Sequence, residues 1–256
     1  DASIIKSDGE NFVEIIDDLY LKYDDNLRSR IQEFISSCNS KEDFERLMNI
    51  SFDVVREITL FHADVCKKIL ERNKKIKVDL IGFHGQTVLH RPEEGYTIQI
   101  GDSKLLSKQV KTTVVSNFRE NDISNGGQGA PLTPLYHKVI LKKIKSIPPC
   151  VIINIGGIAN ITYVENEKNI ESFDCGPGNY LIDKWVKEKM KINFDKNGDL
   201  AKKGKVNKNF IENFLLDSYY KKKKPKSLDI KDLNLINIEK LSLEDGCATL
   251  SMITAE

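Results

Sequence analysis

The sequence predicts an α/β protein built in two halves. Strand-like and helix-like patterns alternate along most of the chain, and glycine-rich turns and polar corners fall at the ends of several apolar runs. Apolar residues make up 40% and charged residues 30%, the proportions of an ordinary soluble globular protein. The 256 residues suffice for one large or two modest domains.

Bulk properties exclude several classes. A net charge of +1 provides no steering toward nucleic acid or membrane. The basic runs at 142–145 and 221–226 are short and lack interleaved aromatics, so they read as solvated faces or loops. Five cysteines (Cys38, Cys66, Cys150, Cys175 and Cys247) form neither a CxxC pair nor a His/Cys ligand cluster, which predicts a reducing compartment without disulfides or zinc. No apolar run reaches membrane-spanning length and no signal peptide is visible, so the expectation is a cytoplasmic protein. The chain opens on Asp1 in a strand pattern and closes at Glu256 inside a helix pattern begun at Ser242, so it is expected to be a segment truncated at both ends.

Taken in order, residues 2–16 read as two β runs around the turn Ser7-Asp8-Gly9-Glu10. A helix is expected at 25–37. The apolar spacing of Phe44, Leu47, Val54, Ile58, Phe61, Val65 and Leu70 predicts one long helix over 42–73, with His62 as a packed or surface residue beside the stripe. A short strand at 78–83 runs into a polar cluster at 84–92, the kind of edge where ligand groups collect in α/β sheets. Strand 96–102, helix 102–110 and strand 112–116 follow. A glycine-rich polar loop at 117–131 is long enough to suggest function. A helix at 132–145 ends before Pro148-Pro149. The domain crossing is placed between Gly129 and Leu135, giving domains 1–131 and 132–256.

The stretch 154–179 organises the second half. Apolar strands at 151–155 and 158–164 hinge on Gly156-Gly157, and a tip without side chains lets an anion approach backbone N–H groups. A strand end carrying Asp174 then turns through Gly176-Pro177-Gly178 into a helix at 179–190, whose N-terminus is a second pole for anions. Trp185 lies on that helix's apolar face and reads as core. Residues 195–199 resemble the start of a calcium loop, but Val206 stands where the closing Glu belongs. A short amphipathic helix is expected at 210–220 and a loop at 224–229. No Walker loop and no G-x-G-x-x-G after a strand occurs, which excludes P-loop and Rossmann enzymes.

Five segments then carry a specific resemblance, in order and over nearly the whole chain: Phe83-His84-Gly85-Gln86-Thr87, Gln99-Ile100-Gly101-Asp102, Asn117-Phe118-Arg119 through Leu132, Asn154 to Thr162, and Phe173 to Asn179. Together they resemble the anhydro-N-acetylmuramic acid kinases of the actin/hexokinase/Hsp70-like ATPase superfamily. The resemblance implies a two-domain actin/hexokinase-like (RNase H-like) fold and a cytoplasmic enzyme of cell-wall recycling. It implies ATP and Mg²⁺ as cofactors, an amino-sugar substrate, no nucleic-acid or membrane partner, and a homodimer. Asp174 matches the family's general base, the alternative being a cap or turn carboxylate for the next helix. Gly156, Gly157 and Asn160 match a phosphate hairpin, the alternative being a plain tight turn. Arg119, Asp122 and Gln128 match a sugar-facing loop; Arg119 either pairs with the muramate lactyl carboxylate or makes a structural pair with Asp122. His84, Gln86 and Gln99 line the cleft or support it.

Two departures stand out: Asn117 where the family has Asp, and Cys175 where it has Thr. The resemblance also implies a Gly-Thr-Ser-x-Asp-Gly phosphate loop before Asp1 and a glycine-rich adenosine segment after Glu256. The competing expectation is an inactive sugar-binding or structural remnant.

Overall fold

The computed structural model of the chain describes residues 1–233 and 238–256. The chain divides into two compact units, Asp1–Lys143 and Ile144–Glu256.

In the first unit, β1 (Ala2–Ser7) pairs antiparallel with β2 (Val13–Leu19). The Asp8 carboxylate closes their turn by accepting the amides of Glu10, Asn11 and Phe12 at 3.0, 2.8 and 2.9 Å. Those bonds favour the charged form and hold its carboxyl below the usual range. Helix α1 (Asp25–Ser37) starts where the Asp24 side chain accepts the Leu27 amide.

The single long helix expected over 42–73 is two helices, α2 (Lys41–Ile50) and α3 (Phe52–Arg72). Ser51 breaks the run at φ −135° and ψ 28°, closing α2 through its amide on the Leu47 carbonyl and accepting the Val54 amide as α3 begins. The apolar interval from Leu47 to Val54 is nearly two helical turns, so a break inside it leaves the stripe in phase and invisible to periodicity.

Strand β3 (Leu80–Gly82) lies parallel to β6 (Thr113–Val115), joined through β4 (Gln86–Arg91), β5 (Tyr96–Ile100) and α4 (Ser103–Val110). The polar cluster expected at 84–92 is thus largely strand, with β4 antiparallel to β5. The core joins Leu27, Ile31 and Phe34 of α1, Val54, Val55 and Ile58 of α3, and Val88, Leu89 and Ile100 of the β4–β5 pair. The loop after β6 contains a short helix, α5 (Glu120–Ser124), which packs on β5. Helix α6 (Pro134–Lys143) begins on a proline, whose missing N–H costs nothing at a first helical position.

The second unit holds an antiparallel sheet in the order β7 (Cys150–Ile155), β8 (Ile158–Val164), β9 (Ile170–Pro177). Its helices are α7 (Tyr180–Met190), α8 (Lys208–Leu215), α9 (Ser218–Lys221) and α10 (Leu243–Ala255). Trp185 of α7 is core, 1% exposed, and its indole N–H donates to the Leu243 carbonyl at 3.0 Å. Around it gather Leu181, Val186, Ile211, Tyr219, Leu250 and Ile253. The one helix expected at 210–220 is interrupted at Asp217, whose carboxylate accepts the Tyr219 amide at 2.8 Å and starts α9. Asp195 caps a turn by accepting the Leu200 and Ala201 amides, both at 2.9 Å, so a local bonding role accounts for the calcium-like start.

His62 is packed, with Nδ1 at 2.8 Å from the Ile58 carbonyl and its ring 5.3 Å from that of Phe83. Burial lowers its pKa from 6.5, and burial does the same to His137. Both folded pKa values lie below the unfolded one, so the unfolded chain binds more protons as pH falls through 6.5 and stability declines. Denaturant titrations at about pH 7.5 and about pH 5.5 should show lower stability at the acid end. His62→Phe should narrow the gap, and an unchanged gap would remove His62 as a contributor.

Candidate active site

The β7–β8 hairpin pairs Asn154 with Asn160 and Ile155 with Ala159, leaving Gly156 and Gly157 as its tip. The tip's carbonyls are occupied. Gly157 accepts the amides of Gly178 and Tyr180 at 2.9 and 3.3 Å, and Gly156 accepts that of Asn179 at 2.7 Å. The entry to α7 is therefore bonded to the hairpin. The amides of Gly178, Asn179 and Tyr180 thus donate inside the protein at the start of α7. Gly178 permits the contact, since a Cβ there would lie 2.1 Å from the Gly156 carbonyl oxygen. Gly157 is different: its Cβ would meet only the Tyr180 Cβ at an ordinary 3.6 Å.

Asp174 owes its position to a break in register. Ala159 pairs with Gly176 but Asn160 pairs with Asp174, so Cys175 is an extra residue in β9. Such a bulge re-aims the neighbouring side chains. The Cys175 thiol donates to the Ala159 carbonyl at 3.3 Å, and burial pushes its pKa up.

Asp174 is 7% exposed and held from several sides. Its amide donates to the Lys226 carbonyl at 3.1 Å, its Oδ2 accepts the Leu228 amide at 2.8 Å, and its own carbonyl accepts the Tyr219 hydroxyl at 2.5 Å. Asn179 stands at the cap position of α7, and the Asp174 carboxylate accepts the amide of residue 228. Across the sheet, the side-chain oxygen of Asn160 is buried and has no hydrogen-bond partner. A buried acceptor left open in this way is costly unless a bound group completes it.

Tyr219 and Lys226 were not singled out by sequence reasoning. Lys226 belongs to a basic run expected to be solvated, yet it is 8% exposed. Its Nζ donates to the Tyr219 carbonyl at 3.1 Å and sits 4.4 Å from the centre of the Tyr219 ring. Burial lowers its pKa; burial, followed by the Asp174 charge, raises that of Tyr219. The tyrosine was detectable only as an apolar-face residue, and nothing in the local sequence marked the lysine.

In the first unit the residues expected to face the sugar lie on or just before the β4–β5 hairpin and in the 117–131 loop. Gln99 donates to the Thr97 hydroxyl at 2.6 Å and lies opposite Thr87. His90 Nδ1 lies 3.0 Å from that same hydroxyl, so Thr97 and His90 join a network of which the sequence suggested only Gln99. Gln86 donates to the Thr87 carbonyl at 3.1 Å, and His84 is exposed just before β4. The packing of α5 on β5 brings the 117–131 loop to this hairpin. Within the loop, Arg119 donates to the Gly129 carbonyl and Asp122 accepts the Gly129 amide, both at 2.7 Å. Arg119 and Asp122 thus grip the same residue, next to Gln128. Asn117 adopts φ 61°, a left-handed conformation that Asn and Asp tolerate better than most residues.

A side-chain-free hairpin tip beside a buried, immobilised carboxylate suits a kinase, which needs close backbone approach to phosphate and one positioned base. Comparison with known proteins narrows the class. A family model of anhydro-N-acetylmuramic acid kinase matches residues 1–255. A Pelagibacter ubique protein named anhydro-N-acetylmuramic acid kinase is 44% identical over 259 aligned positions, covering 100% of this chain and 68% of its own length. Namesakes from Rhizobium etli and Agrobacterium fabrum are each 38% identical, covering 100% and 99% of this chain and 70% and 69% of their own lengths. The chain belongs to the anhydro-N-acetylmuramic acid kinase family, and it is an α/β kinase of that family.

The two glycines should separate by mutation. Gly178→Ala should lower stability by about 1–3 kcal/mol, because backbone must move to admit the methyl group. Gly157→Ala should stay within about 0.5 kcal/mol of the parent. Denaturant midpoints measure both; equal losses would show that the contact at Gly178 is not what constrains the turn.

Proposed function

We propose that this protein uses ATP and water to open the 1,6-anhydro ring of anhydro-N-acetylmuramate and phosphorylate O6, giving N-acetylmuramate 6-phosphate and ADP. The observation that carries the reading is Asp174, buried on a bulged strand opposite the open oxygen of Asn160. The names of the relatives support the substrate.

Asp174 takes a proton from water, whose oxygen bonds to C1 of the sugar. The C1–bridge oxygen bond breaks, and that oxygen, now O6, receives the γ-phosphoryl group. Gly156 and Gly157 leave room for phosphate at the hairpin, and Asn160 turns a polar side chain toward the same strand pair. Arg119 binds the lactyl carboxylate, with Asp122, Gln128, His84, Gln86 and Gln99 shaping the sugar's surroundings. The Gly129 carbonyl uses one donor of the Arg119 fork.

Mg²⁺ is proposed to arrive with the nucleotide. Among the described residues no group of three or more His, Cys, Asp or Glu side chains could hold a metal ion. The proposed setting is the cytoplasm and the proposed assembly a homodimer; among the described residues no helix is long and apolar enough to cross a membrane.

Asp174→Asn should cut kcat by about 10²–10⁴-fold, the usual contribution of a positioned general base. A coupled ADP-release assay with anhydro-N-acetylmuramate measures this, with nucleotide binding followed separately and expected to persist. Turnover at the parental rate would remove Asp174 from the mechanism. Absence of turnover in the parent enzyme would favour the inactive remnant.

A further inference from the structure

We propose that Tyr219 and Lys226 are positioning residues that set Asp174 for proton transfer, an inference that rests on Asp174 being the base. Together they close a ring of interactions around it. The Tyr219 hydroxyl donates to the Asp174 carbonyl at 2.5 Å. Lys226 Nζ donates to the Tyr219 carbonyl at 3.1 Å and lies over the Tyr219 ring, with the Tyr220 ring centre 5.9 Å away. The backbone of Lys226 then returns to the start: its carbonyl accepts the Asp174 amide, and two residues on the Leu228 amide donates to the carboxylate.

Each link constrains a different degree of freedom. The bonds to the Asp174 amide and carbonyl fix the main chain on either side of its Cα, while the Leu228 amide fixes the carboxylate. Lys226 joins these constraints because its ammonium is tied to the residue that carries the hydroxyl. A charged group only 8% exposed is costly to keep. Its known compensation is one carbonyl and two aromatic faces, all belonging to Tyr219 and Tyr220. Replacing such a charge by an apolar side chain of similar shape is often neutral or stabilising. A purely structural role would give this lysine little reason to be charged; holding Tyr219 against Asp174 supplies one.

The test uses the enzyme that carries Asp174→Asn as its reference for the base. Tyr219→Phe removes one hydroxyl and keeps the ring; Lys226→Met keeps the stem and removes the charge. Each should fold, shown by circular dichroism, with kcat lowered about tenfold to 100-fold and the KM values for sugar and ATP within about twofold, as expected for a displaced reacting group. Lys226→Met should keep a melting temperature near the parent's, and Lys226→Arg should recover part of kcat. A folded Tyr219→Phe or Lys226→Met enzyme with parental kcat, or with the loss confined to KM, would overturn the proposal. The failures are distinguishable: an active Asp174→Asn enzyme removes the base itself, whereas an inactive one beside fully active Tyr219 and Lys226 variants removes only the brace.

Discussion

A carboxylate that is 7% exposed loses most of its water, and the structure replaces that water with fixed bonds from residues distant in sequence. The Leu228 amide contacts the Asp174 carboxylate while Lys226 and Tyr219 secure its main chain. Much of the second unit is arranged to make these bonds possible. The turn at Asp217 restarts the chain as α9 and presents Tyr219, and Tyr219 and Leu228 both belong to the apolar cluster around Trp185. Core packing and the hold on Asp174 are therefore the same contacts seen from two sides.

The glycine hairpin depends on that arrangement too. Its tip is bonded to residues 178–180, which immediately follow the bulged strand bearing Asp174. Moving the bulge would shift the carboxylate and the hairpin's anchor at once. The proposed phosphoryl transfer would gain from this coupling, because its rate would rest on keeping the proposed base and the phosphate surroundings in fixed register. The side-chain oxygen of Asn160, on the strand paired with Asp174, is buried without a hydrogen-bond partner.

Much of this was legible in the sequence for reasons that can be stated. Local signals located α1 at 25–37, the turn at 7–10 and the hairpin at Gly156-Gly157, since each depends on residues a few positions apart. The β7–β8 hairpin and the long loop after β6 were legible as elements, from their glycines and polar residues. What failed was non-local or degenerate. The break at Ser51 was hidden because two helical turns preserve phase, and the break at Asp217 because a capping Asp also fits a helix surface. The bonds from the amides of 178–180 to the hairpin tip join residues some twenty positions apart and leave no local signal. Lys226 could not be told from its neighbours in a lysine-rich run, because its burial is decided by Tyr219 and Tyr220. Thr97 was missed in the same way, being an ordinary strand residue until the β4–β5 pairing joins it to Gln99 and to His90 of the polar cluster.

The most direct test of the account is a crystal structure of the enzyme with anhydro-N-acetylmuramate and a non-hydrolysable ATP analogue. The account predicts an ordered water within about 3.2 Å of the Asp174 carboxylate and aligned on C1 of the sugar, with Tyr219 and Leu228 still bonded to Asp174. A water placed on C1 by a different carboxylate, with Asp174 turned away from the sugar, would contradict it.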